Sequence, residues 1–314
     1  MVLSGTSKGF WSGDLNNFLL KKLLQRRIWK RILHERLSEP IHLNLIAGGI
    51  GVLGSFRAKV DFDLVMRPQH AFGLLRAADW AKDNGVPRLT VVEFGVANGA
   101  GLMNLCAIAP RVTRATGVEF DIVGFDSGAG MPPPRDYRDH PEHYSHGDFP
   151  MQDPGALRAA LPNNARLILG DIRDTVRSFQ PSAPIGFVSI DVDYYSSTVE
   201  ALEIFSRLPE AYLPWVIVYL DDVEYEGHNE YCGELLAARE FVDTHPLRPI
   251  TRYNLLRQRR IFQRAFWIDH MYMVHVLDHP VRTQALGKMG GVALDNPYLD
   301  TISNASTQAL KPAQ

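Results

Sequence analysis

The amino-acid sequence predicts an α/β fold in which a mainly parallel sheet carries helices on both of its faces. It contains five short apolar stretches rich in β-branched residues, and helical patterns fill the intervals between them. Strands that alternate with helices form parallel sheets, because each helical connection crosses one face of the sheet. A glycine or an acid stands at or next to the end of each stretch. The predicted strands are 89–94, 121–126, 166–170, 185–191 and 215–221.

Length and composition are those of a globular protein. The chain has 314 residues, of which 46% are hydrophobic and 22% are charged, enough for one large α/β domain or a domain with an appendage. A formal net charge of −2 gives no general attraction to nucleic acid, so we expect no nucleic-acid partner. Cys106 and Cys232 are far apart and lack metal-ligand spacing, which suits a reducing compartment; we expect a cytoplasmic protein.

Residues 1–58 are predicted to form an N-terminal appendage. The first residues lack a continuous apolar core, so we expect no targeting peptide. Residues 18–37 predict a basic amphipathic helix that ends before Pro40. Its apolar side chains recur every fourth residue: Leu20, Leu24, Ile28 and Ile32. We expect this helix to pack against protein in a homo-oligomer; docking on its own domain and binding at a membrane surface are the alternatives.

The next apolar stretch, residues 41–56, contains four glycines and is too short to cross a bilayer. We interpret it as a buried or covering loop, with a lid as the alternative. No transmembrane segment is expected in the chain.

The C-terminal part is predicted to complete the sheet and then to leave it. Residues 249–256 and 270–277 are the last two predicted strands, which give the sheet an antiparallel edge. Residues 255–266 are predicted to form an extended hairpin connection, with a basic substrate-facing patch as the alternative. We place the main domain at 59–298 and expect a disordered tail at 299–314.

The strand ends carry acids that predict a ligand site. Open α/β sheets bind ligands beyond the carboxyl ends of their strands. One acid is a common helix cap, but five at successive strand ends are harder to explain in that way. The acids predicted to line one rim of the sheet are Glu93, Asp126, Asp171, Asp191 and Asp221.

The turn after the first strand contains Gly95, Gly99 and Gly101. Glycines permit a tight turn and let a ligand approach backbone N–H groups at a helix start. Their spacing, G-x-x-x-G-x-G, differs from the dinucleotide pattern G-x-G-x-x-G, so NAD is not the expected ligand.

Residues 65–245 resemble the class I S-adenosylmethionine-dependent methyltransferases, and most of all the macrocin O-methyltransferase group, which methylates sugar hydroxyls of macrolide antibiotics. The motifs that carry the resemblance are EFGVANGAG, GFDSGAGMP, GDF, GDIRDT, IDVDYYSST and LDD. The resemblance implies a Rossmann-like, seven-stranded fold and S-adenosylmethionine as cofactor. It also implies a small-molecule hydroxyl acceptor, which we expect to be a sugar or another vicinal diol.

The resemblance also implies roles for individual residues. The glycine turn would lie against the methionine part of the cofactor. Asp126 would accept hydrogen bonds from both ribose hydroxyls, and Asp171 would accept one from the adenine amino group. A helix cap is the alternative role for both aspartates. One departure is FDSGAGMP in place of the family's FDSFEGLP, which leaves Gly128 where an aromatic residue stands in the family. The predicted cofactor-binding residues are Glu93, Gly95, Val96, Gly99, Asp126, Ser127 and Asp171.

A divalent metal is predicted at Asp191, Asp221 and Asp222, which follow adjacent parallel strands. Unpaired carboxylates there would repel one another, and ligation by oxygen alone favours Mg²⁺ or Ca²⁺ over zinc. A rim filled with water and helix-capping acids is the alternative. We expect Asp193 to cap the helix near Ser196, with a role facing the substrate as the alternative.

A general base for the acceptor hydroxyl is expected at Asp191 or His146. His146 stands in a polar loop, residues 135–149, together with His140 and His143. A plain surface position is the alternative for His146, and the same two interpretations apply to His228.

Two other functions stay open. The DVD triplet also fits a metal-dependent nucleotide-sugar glycosyltransferase, and the fold also fits a non-catalytic binding domain.

Overall fold

The computed structural model describes residues 33–223 and 230–282. The chain divides into two compact units, Met1–His279 and Pro280–Gln314, and only residues 280–282 of the second are described. Most of the predicted helix at 18–37, the predicted tail at 299–314 and His228 lie outside the described residues. Residues 33–37, the end of that predicted helix, are helical.

The first unit alternates strands and helices. Its strands are β1 Arg88–Phe94, β2 Glu119–Asp126, β3 Ala165–Leu169, β4 Ile185–Ile190, β5 Tyr212–Leu220, β6 Ile250–Arg252 and β7 Met271–His275. Its helices are α1 Ile41–Leu53, α2 Phe56–Asp61, α3 Pro68–Asp83, α4 Ala100–Thr116, α5 Pro154–Ala160, α6 Ile172–Ser178, α7 Tyr195–Leu202, α8 Gly233–Thr244 and α9 Leu256–Arg259.

The seven strands form one sheet in the order β3-β2-β1-β4-β5-β7-β6. Strands β1 to β5 pair in parallel, whereas β7 runs antiparallel to both β5 and β6. This order is typical of class I methyltransferases, and it confirms the predicted fold class. Because β1 lies between β2 and β4, the chain winds outward in both directions from β1, and a crevice opens at that reversal.

Strand β1 shows why this sheet is covered on both faces. Six of its seven residues are buried. Leu89 and Val91 belong to one hydrophobic core, together with side chains of α3 and α4. Val92 and Phe94 belong to the other, together with side chains of α6, α7 and α8. A strand that is apolar on both faces is expected where helices cover both sides of a parallel sheet.

The predicted loop at 41–56 is wrong for most of its length, because residues Ile41–Leu53 form helix α1. A glycine inside a helix costs about 1 kcal/mol relative to alanine, so glycines weaken a helix without forbidding it. The side chains of Ile41, Leu45 and Leu53 are 74–89% exposed within the described residues. None of the helices in residues 33–223 and 230–282 combines the length and apolar character needed to cross a bilayer.

The connection between β6 and β7 also differs from the prediction. In place of a fully extended segment it contains α9 and a short 3-10 helix, Phe266–Ile268. The buried Arg260 donates hydrogen bonds to Asp63 at 2.7 Å and to the Val60 carbonyl at 2.7 Å. Arg260 therefore ties this connection to the end of α2 and to the segment after it.

Candidate functional site

A cavity of about 680 Å³ lies beyond the carboxyl ends of the parallel strands. Eight residues predicted from the sequence line it: Gly95, Asp126, Ser127, His146, Asp171, Asp191, Asp221 and Asp222. Three other predicted residues, Glu93, Val96 and Gly99, are absent from its lining. The acids predicted at the strand ends therefore lie at the cavity, except Glu93. Glu93, Val96 and Gly99 lie behind the cavity wall.

Gly95 brings the end of β1 against the end of β4. It has a φ of 80°, and a Cβ atom at this position would lie 1.7 Å from the Asp191 carbonyl oxygen. Its backbone N–H donates to Phe125 O at 3.0 Å. A residue with a side chain would force these strand ends apart, so glycine is required for the turn.

Gly99 and Val96 have packing positions. Gly99 precedes α4 with a φ of 84°, and a Cβ atom there would lie 2.4 Å from Leu157 Cδ1. Val96 is buried at 3% exposure within the core that contains α3 and α4. Both residues shape the turn from behind the cavity wall.

Glu93 is also buried, with 2% of its surface exposed. A Cβ atom at Gly101 would lie 1.7 Å from Glu93 Oε1, so the start of α4 closes over this carboxyl. Within the described residues, Glu93 Oε2 has no hydrogen-bond partner. The pKa of Glu93 is raised to about 8, mainly by burial; the charge of Arg67 lowers it, and the charges of Asp126 and Asp221 add to the rise.

Asp126 ends β2 with its carboxylate held by two backbone donors. Ala97 N donates to Oδ2 at 2.7 Å, and Gly128 N donates to Oδ1 at 2.6 Å. Each oxygen keeps a further acceptor position, because a carboxylate has about four lone-pair sites. The next residue, Ser127, also lines the cavity and donates to Gly130 O at 3.1 Å. Asp126 can thus present two fixed acceptors to a ligand.

Asp171 caps a helix and also lines the cavity. It caps α6, since one oxygen accepts from Arg173 N at 2.9 Å, and it lines the cavity as well. The apolar side chains of Met131 and Ile172 line the same cavity. A flat, partly apolar ligand group would meet apolar contacts and a carboxylate here.

Asp191, Asp221 and Asp222 follow the neighbouring strands β4 and β5. Asp221 accepts from Tyr219 OH at 2.6 Å, and its backbone N donates to Ile190 O at 3.0 Å. Asp222 is 2% exposed, and its backbone N donates at 3.0 Å to Glu234, a buried acid that sequence reasoning missed.

These acids disfavour one another's ionised forms. Burial first, and then the charge of Asp221, raises the pKa of Asp191. Burial first, and then Glu234, raises the pKa of Asp222. The carboxylate oxygens of Asp191, Asp221 and Asp222 do not all lie within 4.8 Å of one another. The group shares one cavity but is spread more widely than a closed metal site.

The predicted capping role of Asp193 is wrong. The backbone N of Ser196 donates at 2.8 Å to Asp139, a buried residue of the preceding loop, and Ser196 Oγ donates to it at 2.9 Å. Asp193 has a φ of 60° and faces the cavity, where burial raises its pKa and a hydrogen bond from Tyr144 opposes that shift. A left-handed backbone before α7 turns the Asp193 side chain away from the helix start.

His146 lies on the polar loop that forms one wall of the cavity, and its side chain is exposed. The same loop contributes Arg135, Tyr144, Asp148 and Phe149. Asp139 holds this loop on α7 and also accepts from Arg135 N at 2.8 Å. The sequence did not reveal this anchor, because a single Asp in a polar loop carries no periodic or motif signal.

The solved structures that this chain resembles include O-methyltransferases. They are the O-methyltransferase NovP (16% identity, 66% of this chain and 79% of that chain covered, TM-score 0.47) and the calicheamicin methyltransferase CalS11 (20%, 75% and 91%, 0.42). Another is the O-methyltransferase from Bacillus cereus in complex with SAH (14%, 75% and 89%, 0.36). No family model and no curated protein matches the chain. Identities this low do not transfer an activity, and the fold assignment rests on the sheet order itself.

Proposed function

We propose that this chain is an S-adenosylmethionine-dependent O-methyltransferase that acts on a hydroxyl group of a small molecule. The observation that carries the proposal is Asp126, a carboxylate fixed by two backbone N–H groups at the end of β2, in one cavity with the Gly95 turn. A pair of adjacent ribose hydroxyls is a ligand that two fixed carboxylate oxygens recognise well.

The lining fits the rest of this cofactor. Gly95 lets the ligand approach the main chain closely, and Met131 and Ile172 offer apolar surface near Asp171, which has acceptor capacity for an amino group. When bound, the cofactor supplies a methyl group that is already electrophilic. The chain's own task is to orient the acceptor hydroxyl and take up its proton.

A divalent cation, Mg²⁺ in this proposal, would be held by Asp191, Asp221 and Asp222. The chemistry of the donors supports it, because oxygen ligands suit Mg²⁺, and because burial and the neighbouring acids raise the pKa values of Asp191 and Asp222. Their oxygens do not all lie within 4.8 Å of one another, so binding one ion would require these side chains to move closer together. Such an ion supplies electrostatic stabilisation to an ionised hydroxyl.

The proton of the acceptor hydroxyl would pass to a side chain of the cavity wall. Asp191 and His146 are the candidates from the sequence, and Asp193 joins them because it faces the cavity. If Asp191 holds the ion, His146 and Asp193 are the two of these three candidates that remain to accept the proton. Both lie on the side of the cavity formed by the polar loop and the start of α7.

The charge of the lining supports a methyltransferase over a nucleotide-sugar glycosyltransferase. Its carboxylates are Asp126, Asp148, Asp171, Asp191, Asp193, Glu200, Asp221 and Asp222. Among the described lining residues the permanent cation is Arg135, which lies 3.9 Å from Glu200. A diphosphate would depend on a bound cation to offset repulsion by these acids, whereas a sulfonium and a neutral sugar or diol would not be repelled.

Calorimetric titration with S-adenosylhomocysteine tests the proposal. We expect binding by the wild type and weaker binding by Asp126→Ala, by about 1–3 kcal/mol, the scale of charge-assisted hydrogen bonds. Asp121→Asn is the matched control, because Asp121 lies on the same strand and is absent from the cavity lining. Binding of a nucleotide sugar without binding of S-adenosylhomocysteine would refute the proposal.

A further inference from the structure

The polar loop contains a second cluster of metal-ligand groups. Among residues 33–223 and 230–282, His140, Glu142 and His143 are the trio of His, Cys, Asp or Glu whose ligand atoms all lie within 4.8 Å of one another. His140 Nδ1 lies 3.3 Å from Glu142 Oε1, and His143 Nε2 lies 3.9 Å from the same oxygen. One carboxylate oxygen therefore stands between two imidazole nitrogens.

The backbone produces this arrangement. His140 has a left-handed conformation, with a φ of 50°, and its carbonyl accepts from His143 N at 2.9 Å and from Tyr144 N at 3.3 Å. This tight turn returns Glu142 and His143 to the side of His140. A left-handed conformation is uncommon for a residue with a side chain and often marks a functional position.

The cluster is anchored on one side and open on the other. His140 is 2% exposed and follows Asp139, which is bonded to α7. The side chains of Glu142 and His143 are 60% and 44% exposed. An ion can therefore enter from solvent while one ligand ring is held in place.

We propose that His140, Glu142 and His143 bind a divalent transition metal of the zinc class. Two imidazoles and one carboxylate form a nitrogen-rich set that suits zinc, cobalt or nickel, whereas the cavity acids offer oxygen alone. The ion would bind between His140 Nδ1 and Glu142 Oε1 in place of their direct contact, and it would leave coordination positions to water. This site is independent of the proposed methyl transfer.

The position of the site gives it a consequence for the cavity. Tyr144 follows His143 directly, lines the cavity and packs against the Tyr194 ring at a centroid distance of 6.0 Å. An ion on the cluster would hold the turn from which Tyr144 extends. The metal would thus stabilise one wall of the cavity without touching the ligand.

The test uses the full chain, freed of metal and of any histidine tag, and titrated with Co²⁺ in excess Mg²⁺. Co²⁺ reports nitrogen ligation through its visible absorption, and Mg²⁺ competes for sites made of oxygen alone. We expect one equivalent of Co²⁺ that Mg²⁺ does not displace and zinc does. His143→Ala and Glu142→Gln should weaken it by more than about tenfold, since losing a ligand costs at least as much as losing a supporting contact.

Asp222→Asn is the matched control, because it alters the cavity acids and leaves the cluster intact. Its Co²⁺ binding should equal that of the wild type. Co²⁺ binding that disappears in Asp222→Asn and survives in His143→Ala would overturn the proposal. So would the absence of Mg²⁺-resistant binding, or binding unchanged in both cluster variants. Both cluster substitutions are at exposed side chains, and circular dichroism checks that the variants fold.

Discussion

Gly95 and the main chain of Asp191 are in contact where β1 and β4 end: a Cβ atom on Gly95 would lie 1.7 Å from the Asp191 carbonyl oxygen. This contact joins the glycine turn to Asp191, one of the three proposed metal ligands, so the proposed cofactor and metal positions share one wall of the cavity. A change at Gly95 should therefore affect the fold and both ligands.

Gly95→Ala is expected to destabilise the chain by more than its backbone strain alone. Gly117→Ala is the control, because Gly117 has a φ of 86° and an added Cβ would have no atom within 4 Å. The control should cost about 1–2 kcal/mol, the scale of left-handed strain. Urea denaturation measures both. Equal losses in the two variants would contradict the contact described for Gly95.

Glu93 should make stability fall as the pH rises. Burial raises the pKa of Glu93 from 4.5 to about 8 in the folded chain. Between these values the unfolded chain has released the proton and the folded chain keeps it, so the unfolded state binds fewer protons. The free energy of unfolding then falls with pH, by up to about 1.4 kcal/mol per unit. Below the lower value both states are protonated and the contribution is fully present.

Glu93→Gln should remove that slope, because an amide does not titrate. Denaturation curves of the wild type and the variant, taken across this pH window, measure the difference in unfolding free energy. That difference should grow in favour of the variant as the pH rises. Glu210→Gln, at an exposed residue, is the control and should follow the wild type. Parallel curves for wild type and Glu93→Gln would show that the buried carboxyl is not neutral.

Asp139→Ala should loosen the polar loop and destabilise the chain. It removes the acceptor of the hydrogen bonds from Ser196 N, Ser196 Oγ and Arg135 N, which are 2.8–2.9 Å long. Unsatisfied buried groups cost about 1–3 kcal/mol each. Asp153→Ala removes an exposed cap of α5 and should cost about 1 kcal/mol. Thermal unfolding compares the two, and an equal loss would mean that the Asp139 contacts are weak.

Mg²⁺ should raise the thermal stability of the wild type, and EDTA should reverse the effect. The physical reason is relief of repulsion among buried carboxylates. Asp222→Asn should lose most of this response, whereas Asp174→Asn, at an exposed residue of α6, should keep it. A full Mg²⁺ response in Asp222→Asn would remove that residue from the metal site.

The sequence predicted the sheet and the cavity acids because both follow from short-range patterns. Apolar runs reveal buried strands, and parallel pairing places the residues after them at one edge, as for Asp126 and Asp221. The orientation of each side chain is a tertiary property. Glu93 precedes the turn yet lies behind it, because the start of α4 covers its carboxyl.

The remaining differences have similar causes. Asp193 was predicted to cap α7 from its spacing to Ser196, but its left-handed backbone turned it to the cavity and left the cap to Asp139, far away in sequence. The glycines of α1 suggested a loop, yet their modest helix penalty did not decide the conformation. A single sequence does not reveal which residues meet over long distances in the chain, and it does not decide the conformation where the local preference is weak.

The central claim is that Asp126 binds the ribose of S-adenosylmethionine in this cavity. A crystal of the full chain soaked with S-adenosylhomocysteine and Mg²⁺ tests it most directly. We predict both ribose hydroxyls within hydrogen-bond distance of the Asp126 carboxylate, and the ion on Asp191, Asp221 and Asp222. Density for S-adenosylhomocysteine elsewhere, or a cavity without it at saturating concentration, would contradict the claim.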